Sequence, residues 1–239
     1  SEESPRPILV SIVNTIEPDN DFTTFLELAR GEIRQGRKRQ IADGVGIPLL
    51  IPVVPRPAGD PEPWHFYPTF LDPDTFKTPN SPLNRVDLQV QEMVEDASSR
   101  LEDDGYNIAT EMHVDGFSSD GTFANRFTML YPDRINAASY GGITQLILPK
   151  ATVDDDIPVA GDPQWHQIPD EVGTADEELP YPIGVANLEQ LAGKSFNREA
   201  WLNTPQYIYI GDEDGGEPGM DGYRDFRNLY YDGPSERLN

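Results

Sequence analysis

The run Gly116-Phe117-Ser118-Ser119-Asp120-Gly121 is the part of the sequence whose residue types and spacing best suit chemistry. It joins an alternating stretch, ATEMHV, to a helical one, TFANRFTML. A strand that turns straight into a helix pushes the side chain at the turn out at the end of the sheet, where a serine hydroxyl can attack a carbonyl. Small residues must flank that serine because the two backbones approach closely there. Ser118 has Gly116 two positions before it, although Asp120 stands two after it. The frame centred on Ser119 gains Gly121 but places Phe117 at the crowded first position, so Ser118 is the better candidate. Serine and glycine also fill strand-to-helix turns that carry no chemistry.

Acyl transfer asks for three further groups: a base for the serine proton, an acid that orients the base, and two N–H donors for the oxyanion. There are three histidines. His113 precedes Ser118 by five residues in the same extended run, roughly 16 Å away at about 3.3 Å per residue, which suits a core or second-layer role. His65 and His166 lie in long loops, where a histidine more often packs than titrates. For the acid, GDEDGGEPGMDG offers Asp212 and Asp214. The same stretch also reads as a solvated acidic turn, or as a calcium loop with Asp212, Asp214, Glu217 and Asp221 as oxygen ligands. With no cysteine, disulfides, thiolate metal sites and cysteine nucleophiles are excluded.

The elements that must position these groups follow from periodicity. PILVSIV (7–13) and IPLLIPVV (47–54) are short apolar runs of the kind that form buried parallel strands, and FTTFLELARGEIRQ between them has helical spacing. Residues 55–82 are too rich in proline for regular helix and read as a long ordered loop carrying aromatics. NRVDLQVQEMVEDASSRLEDDG is an amphipathic helix with Leu88, Val90, Met93, Val94, Ala97 and Leu101 inward, stopped by Gly105. NIATEMHV is the strand before the serine turn, and the helix after it turns Phe123, Phe127 and Leu130 inward. RINAASYGG and PQYIYIG are further strands, and residues 145–200 form an excursion lying over the sheet. Strands alternating with helices imply a parallel sheet with covering helices.

GFSSDGTFANRFTMLYPDRINAA resembles the elbow segment of α/β-hydrolases of the esterase and polyester-depolymerase kind. PILVSIVNT is similar to the strand before their oxyanion loop. LLIPVVPRP with FYPTFLDPDTF, and the segment from YPIGVANLEQ to YIYIGDED, resemble further stretches of that family in the same order. The resemblance implies an α/β-hydrolase fold over a single domain, residues 1–239, with the 145–200 excursion as a cap. It implies Ser118 as nucleophile and the N–H of Ser119 as half of the oxyanion hole. The other half falls at Asn14 or Thr15, where the family's usual His-Gly pair is absent. A family pattern of glycine, two residues, then aspartate selects Asp214 as the acid. Phe117, Trp64 and Tyr67 are the expected substrate-binding aromatics. The family order is serine, acid, histidine, yet no histidine follows Asp214, so the base and the last strand and helix are expected beyond Asn239; His65 or His166 swinging in is the alternative.

Composition bounds the partners. The 42 acidic residues oppose 18 basic ones, giving a formal charge of -24 and a pI near 4.2, which excludes nucleic acid as a partner. Only four of the basic residues are lysine, so the surface resembles that of proteins from halophilic archaea. No apolar run reaches the roughly 20 residues of a membrane span. The expected activity is hydrolysis of a small-molecule carboxylic ester without metal or organic cofactor, in a monomer or a homo-oligomer. The rival readings are a catalytically silent α/β-hydrolase-like binding protein and a calcium-stabilised surface protein.

Overall fold

The computed structural model describes residues 4–13, 17–59, 68–77, 81–143, 146–152 and 178–209. The strands are β1 (Leu9–Val10), β2 (Leu49–Leu50), β3 (Met112–Phe117), β4 (Ile135–Gly141) and β5 (Gln206–Tyr209). They form one sheet in the order β2-β1-β3-β4-β5, and every pairing between them is parallel. Isolated parallel bridges, Arg6 with Ile108 and Val13 with Val53, prolong β1 at both ends, so the whole apolar run 7–13 is extended as its composition predicts.

Side chains alternate across this sheet as the twofold repeat of a strand requires. Ile8, Val10 and Ile12 of the first run, Met112 and Val114 of β3, and Ala138 and Tyr140 of β4 enter the main core. Val13 and Ile51 meet Ala29 in a smaller core on the opposite face.

The helices are α1 (Phe22–Gln35), α2 (Arg37–Val45), α3 (Pro73–Lys77), α4 (Val86–Asp103), α5 (Ser119–Leu130), α6 (Leu188–Ala192) and α7 (Arg198–Asn203). Helix α1 starts where Asp21 caps it, accepting from the Thr23 amide at 2.9 Å. Helix α5 follows β3 directly and packs on β3 and β4. All twelve of its residues are buried, including Arg126, which donates to the Phe70 carbonyl and, at 2.7 Å, to Asp72. The molecule therefore has an α/β fold: a parallel sheet flanked by helices.

Four sequence expectations need correction. Helix α2 was not foreseen between α1 and β2; Gly36 precedes it as the N-cap and the left-handed Gly46 follows it as the C-cap. The proline-rich segment does hold helix, a 3-10 turn at Pro68–Phe70 and then α3. Pro73 opens α3, the position at which a helix needs no amide hydrogen from it. Leu88 lies on the outer side of α4 and is 40% exposed, while Val86 and Asp87 are buried in its place. Finally, β3 begins at Met112, and only the bridge at Ile108 represents the earlier part of NIATEMHV.

The excursion also does more than lie over the sheet. Tyr181, Val185 and Leu188 join the main core, and Asn125 of α5 accepts from the Ile147 amide at 3.1 Å.

Candidate active site

In an open parallel sheet, ligands bind beyond the carboxyl ends of strands where the strand order reverses. Here the reversal falls between β1 and β3, because the chain steps outward from β1 to β2 and then returns past β1 to β3. Ser118 leaves the end of β3 at that point.

The backbone of Ser118 has φ 59° and ψ -124°, a region sparsely populated by residues that carry a side chain. Neighbouring groups fix it there. The Ser118 amide donates to the Gly141 carbonyl at 2.9 Å, continuing the β3–β4 ladder, while its carbonyl accepts from the Thr122 amide at 3.0 Å as the first bond of α5. One residue thus belongs to strand and helix together. A serine in the N-cap position ordinarily bonds its hydroxyl to the first turn, but the Ser118 side chain makes no capping hydrogen bond, and the residue is exposed.

Two glycines make the turn possible. A Cβ on Gly116 would lie 2.2 Å from the Asp120 carbonyl oxygen, and one on Gly121 would lie 2.8 Å from the Gly141 oxygen. The crowded positions are therefore two before and three after Ser118. Asp120, which seemed to break the pattern, points elsewhere: its carboxylate is buried and sits 3.2 Å from Lys38 Nζ of α2. Ser119 is the first residue of α5, so its N–H belongs to the first turn, which has no acceptor within the helix and carries the positive end of the helix dipole.

Phe117 lies on the sheet face opposite the main core, stacked on Tyr209 with centroids 6.1 Å apart and with the Arg37 guanidinium over its ring at 5.9 Å. His113 is on that face too, its Nε2 2.8 Å from Asn136 Oδ1. Arg37, His113 and Tyr209, together with Leu9, Ile41, Val45, Ala137, Ser139 and Tyr207, border an open apolar hollow of about 440 Å³. Asn14, Thr15, Trp64, His65, Tyr67, His166 and Asp214 lie outside the described residues, as does the acidic loop with Asp212, Glu217 and Asp221. No group of three or more metal-ligating side chains occurs among the described residues.

Lys38 is the residue that sequence reasoning missed. Its signal was faint: one of four lysines, four residues before Ala42 on a short helix that ends in glycine.

At the far end of α5, Tyr131 donates to the buried Asp87 carboxylate, which also holds Arg85 at 2.9 Å. Burial, then the Asp87 charge, pushes the Tyr131 hydroxyl well above the ordinary tyrosine range.

By its sheet and its switch point the chain is an α/β protein of the doubly wound kind. No family model and no curated protein matches it. Among solved structures it is similar to poly(aspartic acid) hydrolase-1 from Sphingomonas sp. KT-1, with 15% identity and a TM-score of 0.47 over 97% of this chain and 75% of that one. So slight a likeness says nothing of activity. No helix of the described residues is long and apolar enough to cross a membrane.

Proposed function

We propose that the protein is a serine hydrolase of carboxylic esters, with Ser118 as nucleophile, adapted to concentrated salt. The observation that carries this reading is the Ser118 backbone, held at φ 59° between a strand and a helix that Gly116 and Gly121 allow to touch. Such strain persists only where the surroundings enforce it, and it collects at functional sites. In this reading the Ser119 N–H and one from Asn14 or Thr15 receive the oxyanion, Asp214 is the acid, and Trp64, Tyr67 and Phe117 contact substrate. His113, the only histidine among the described residues, is engaged by Asn136, so the base comes from outside them.

The attack forms a bond from Ser118 Oγ to the acyl carbon while the hydroxyl proton passes to the base. Collapse then expels the alcohol, which takes that proton, and water repeats the sequence on the acyl-serine.

A fluorophosphonate probe tests the reading on the full-length protein. The label should map by mass spectrometry to Ser118, vanish in Ser118→Ala, and leave the melting temperature of that variant nearly unchanged. Labelling that survives in Ser118→Ala and is lost in Ser119→Ala would show that the nucleophile is its neighbour.

A further inference from the structure

Lys38 and Asp120 stand out as a charged pair shut inside the molecule, 7% and 5% exposed. Lys38 Nζ lies 3.2 Å from Asp120 Oδ2 and donates to Ser11 Oγ at 2.9 Å. Ser11, fully buried, donates in turn to the Asp115 carbonyl at 2.9 Å, with the Asp115 carboxylate at 3.5 Å. One ammonium thus ties α2, the end of the β1 run, β3 and the start of α5 together at the switch point.

The chemistry of this arrangement follows from where Asp120 sits. It is the second residue of α5, next to Ser119, in the turn whose N–H groups would receive an oxyanion formed at Ser118. A carboxylate buried at that place opposes a second negative charge formed beside it. The Lys38 ammonium cancels it. A buried ion pair is weak evidence of stabilisation, since well-packed apolar residues of similar volume commonly do as well.

We infer that Lys38 is a positioning residue for acyl transfer at Ser118: it neutralises Asp120 so that the first turn of α5 keeps a positive potential toward the oxyanion. The inference rests on the serine hydrolase reading above. Lys38 touches no reacting atom and acts through Asp120.

The test compares fluorophosphonate labelling of the full-length protein with that of Lys38→Met, Lys38→Arg and the neutral pair Lys38→Met/Asp120→Asn, at a temperature where all four are folded. Lys38→Met should lower the maximal labelling rate by roughly 10- to 100-fold, less than the roughly 100- to 1000-fold that follows loss of an oxyanion donor itself, with little change in the half-saturating probe concentration. Lys38→Arg, which keeps the charge, should stay near the wild-type rate. The neutral pair should regain most of what Lys38→Met loses, because it removes the opposing charge without restoring the ammonium. If Lys38→Met does not fold alone, the neutral pair and Lys38→Arg still decide, both being expected to label well. Equal labelling of wild type and Lys38→Met, or a neutral pair as slow as Lys38→Met, would overturn this inference alone. A wild-type protein that takes no label overturns the serine reading and this inference with it.

Discussion

A single Cβ decides whether the turn at Ser118 can exist. Gly116→Ala places a methyl 2.2 Å from the Asp120 carbonyl, and since that obstacle is backbone, α5 itself must shift. Overpacking of this kind costs about 1–3 kcal/mol. At about 2–4 °C per kcal/mol for a chain of this size, the melting temperature should fall measurably, and fluorophosphonate labelling should fall far more. Gly31 of α1 is the matched control: an added Cβ meets nothing within 4 Å. Gly31→Ala should raise stability by about 0.5–1 kcal/mol, measured by thermal or urea melts, with labelling unchanged. Gly116 was legible in the sequence because the motif names its position. The role of Gly121 was displaced by one residue, and Asp120 was read as a departure because nothing local reveals a lysine 82 residues away.

Among elements, α1 and α5 were readable from apolar spacing, since Phe25 of α1 and Phe123, Phe127 and Leu130 of α5 are buried. Helix α2 was not, since RKRQIADGV offers only Ile41, Ala42 and Val45 as an apolar side, and α3 was hidden by a proline that opens a helix instead of breaking one. The C-terminal end of α5 shows how an element is pinned by one phenol. Tyr131→Phe removes a donor from the fully buried Asp87 and should cost about 1–3 kcal/mol at neutral pH. The sign with pH follows from the raised Tyr131 pKa: the unfolded chain ionises near the ordinary value of 10.0, the folded one only above it. The stability Tyr131 contributes is thus complete below about pH 10 and lost as pH climbs past it. The gap between wild type and Tyr131→Phe should therefore narrow above pH 10 in urea titrations.

For the whole molecule the decisive quantity is the charge of -24. Two of the four lysines, Lys38 and Lys150, are buried, and Lys194 is held by Asp133 at 2.7 Å, so lysine hardly offsets the acidic exterior. Mutual repulsion should then govern stability in dilute buffer. Raising salt from about 0.01 M to about 1 M shortens the screening length from about 30 Å to about 3 Å, and the melting temperature should rise markedly across that range. A melting temperature indifferent to salt would remove the argument for a brine-adapted surface. The charge was plain in the sequence; the burial of Lys38 and Lys150 was not, because burial is settled by tertiary packing.

That sheet order bears on how the chain is made. The β1 run lies between β2 and β3, and Ser11 reaches its partner Asp115 across 104 residues. On a ribosome adding about 5–20 residues per second, the apolar residues of the first strand wait roughly 5–20 s for the strand that completes their pairing. Through that interval the first run lacks its second neighbouring strand, and that open edge leaves the nascent protein exposed to premature association. The net charge of -24 opposes such association between copies, because like-charged chains repel one another.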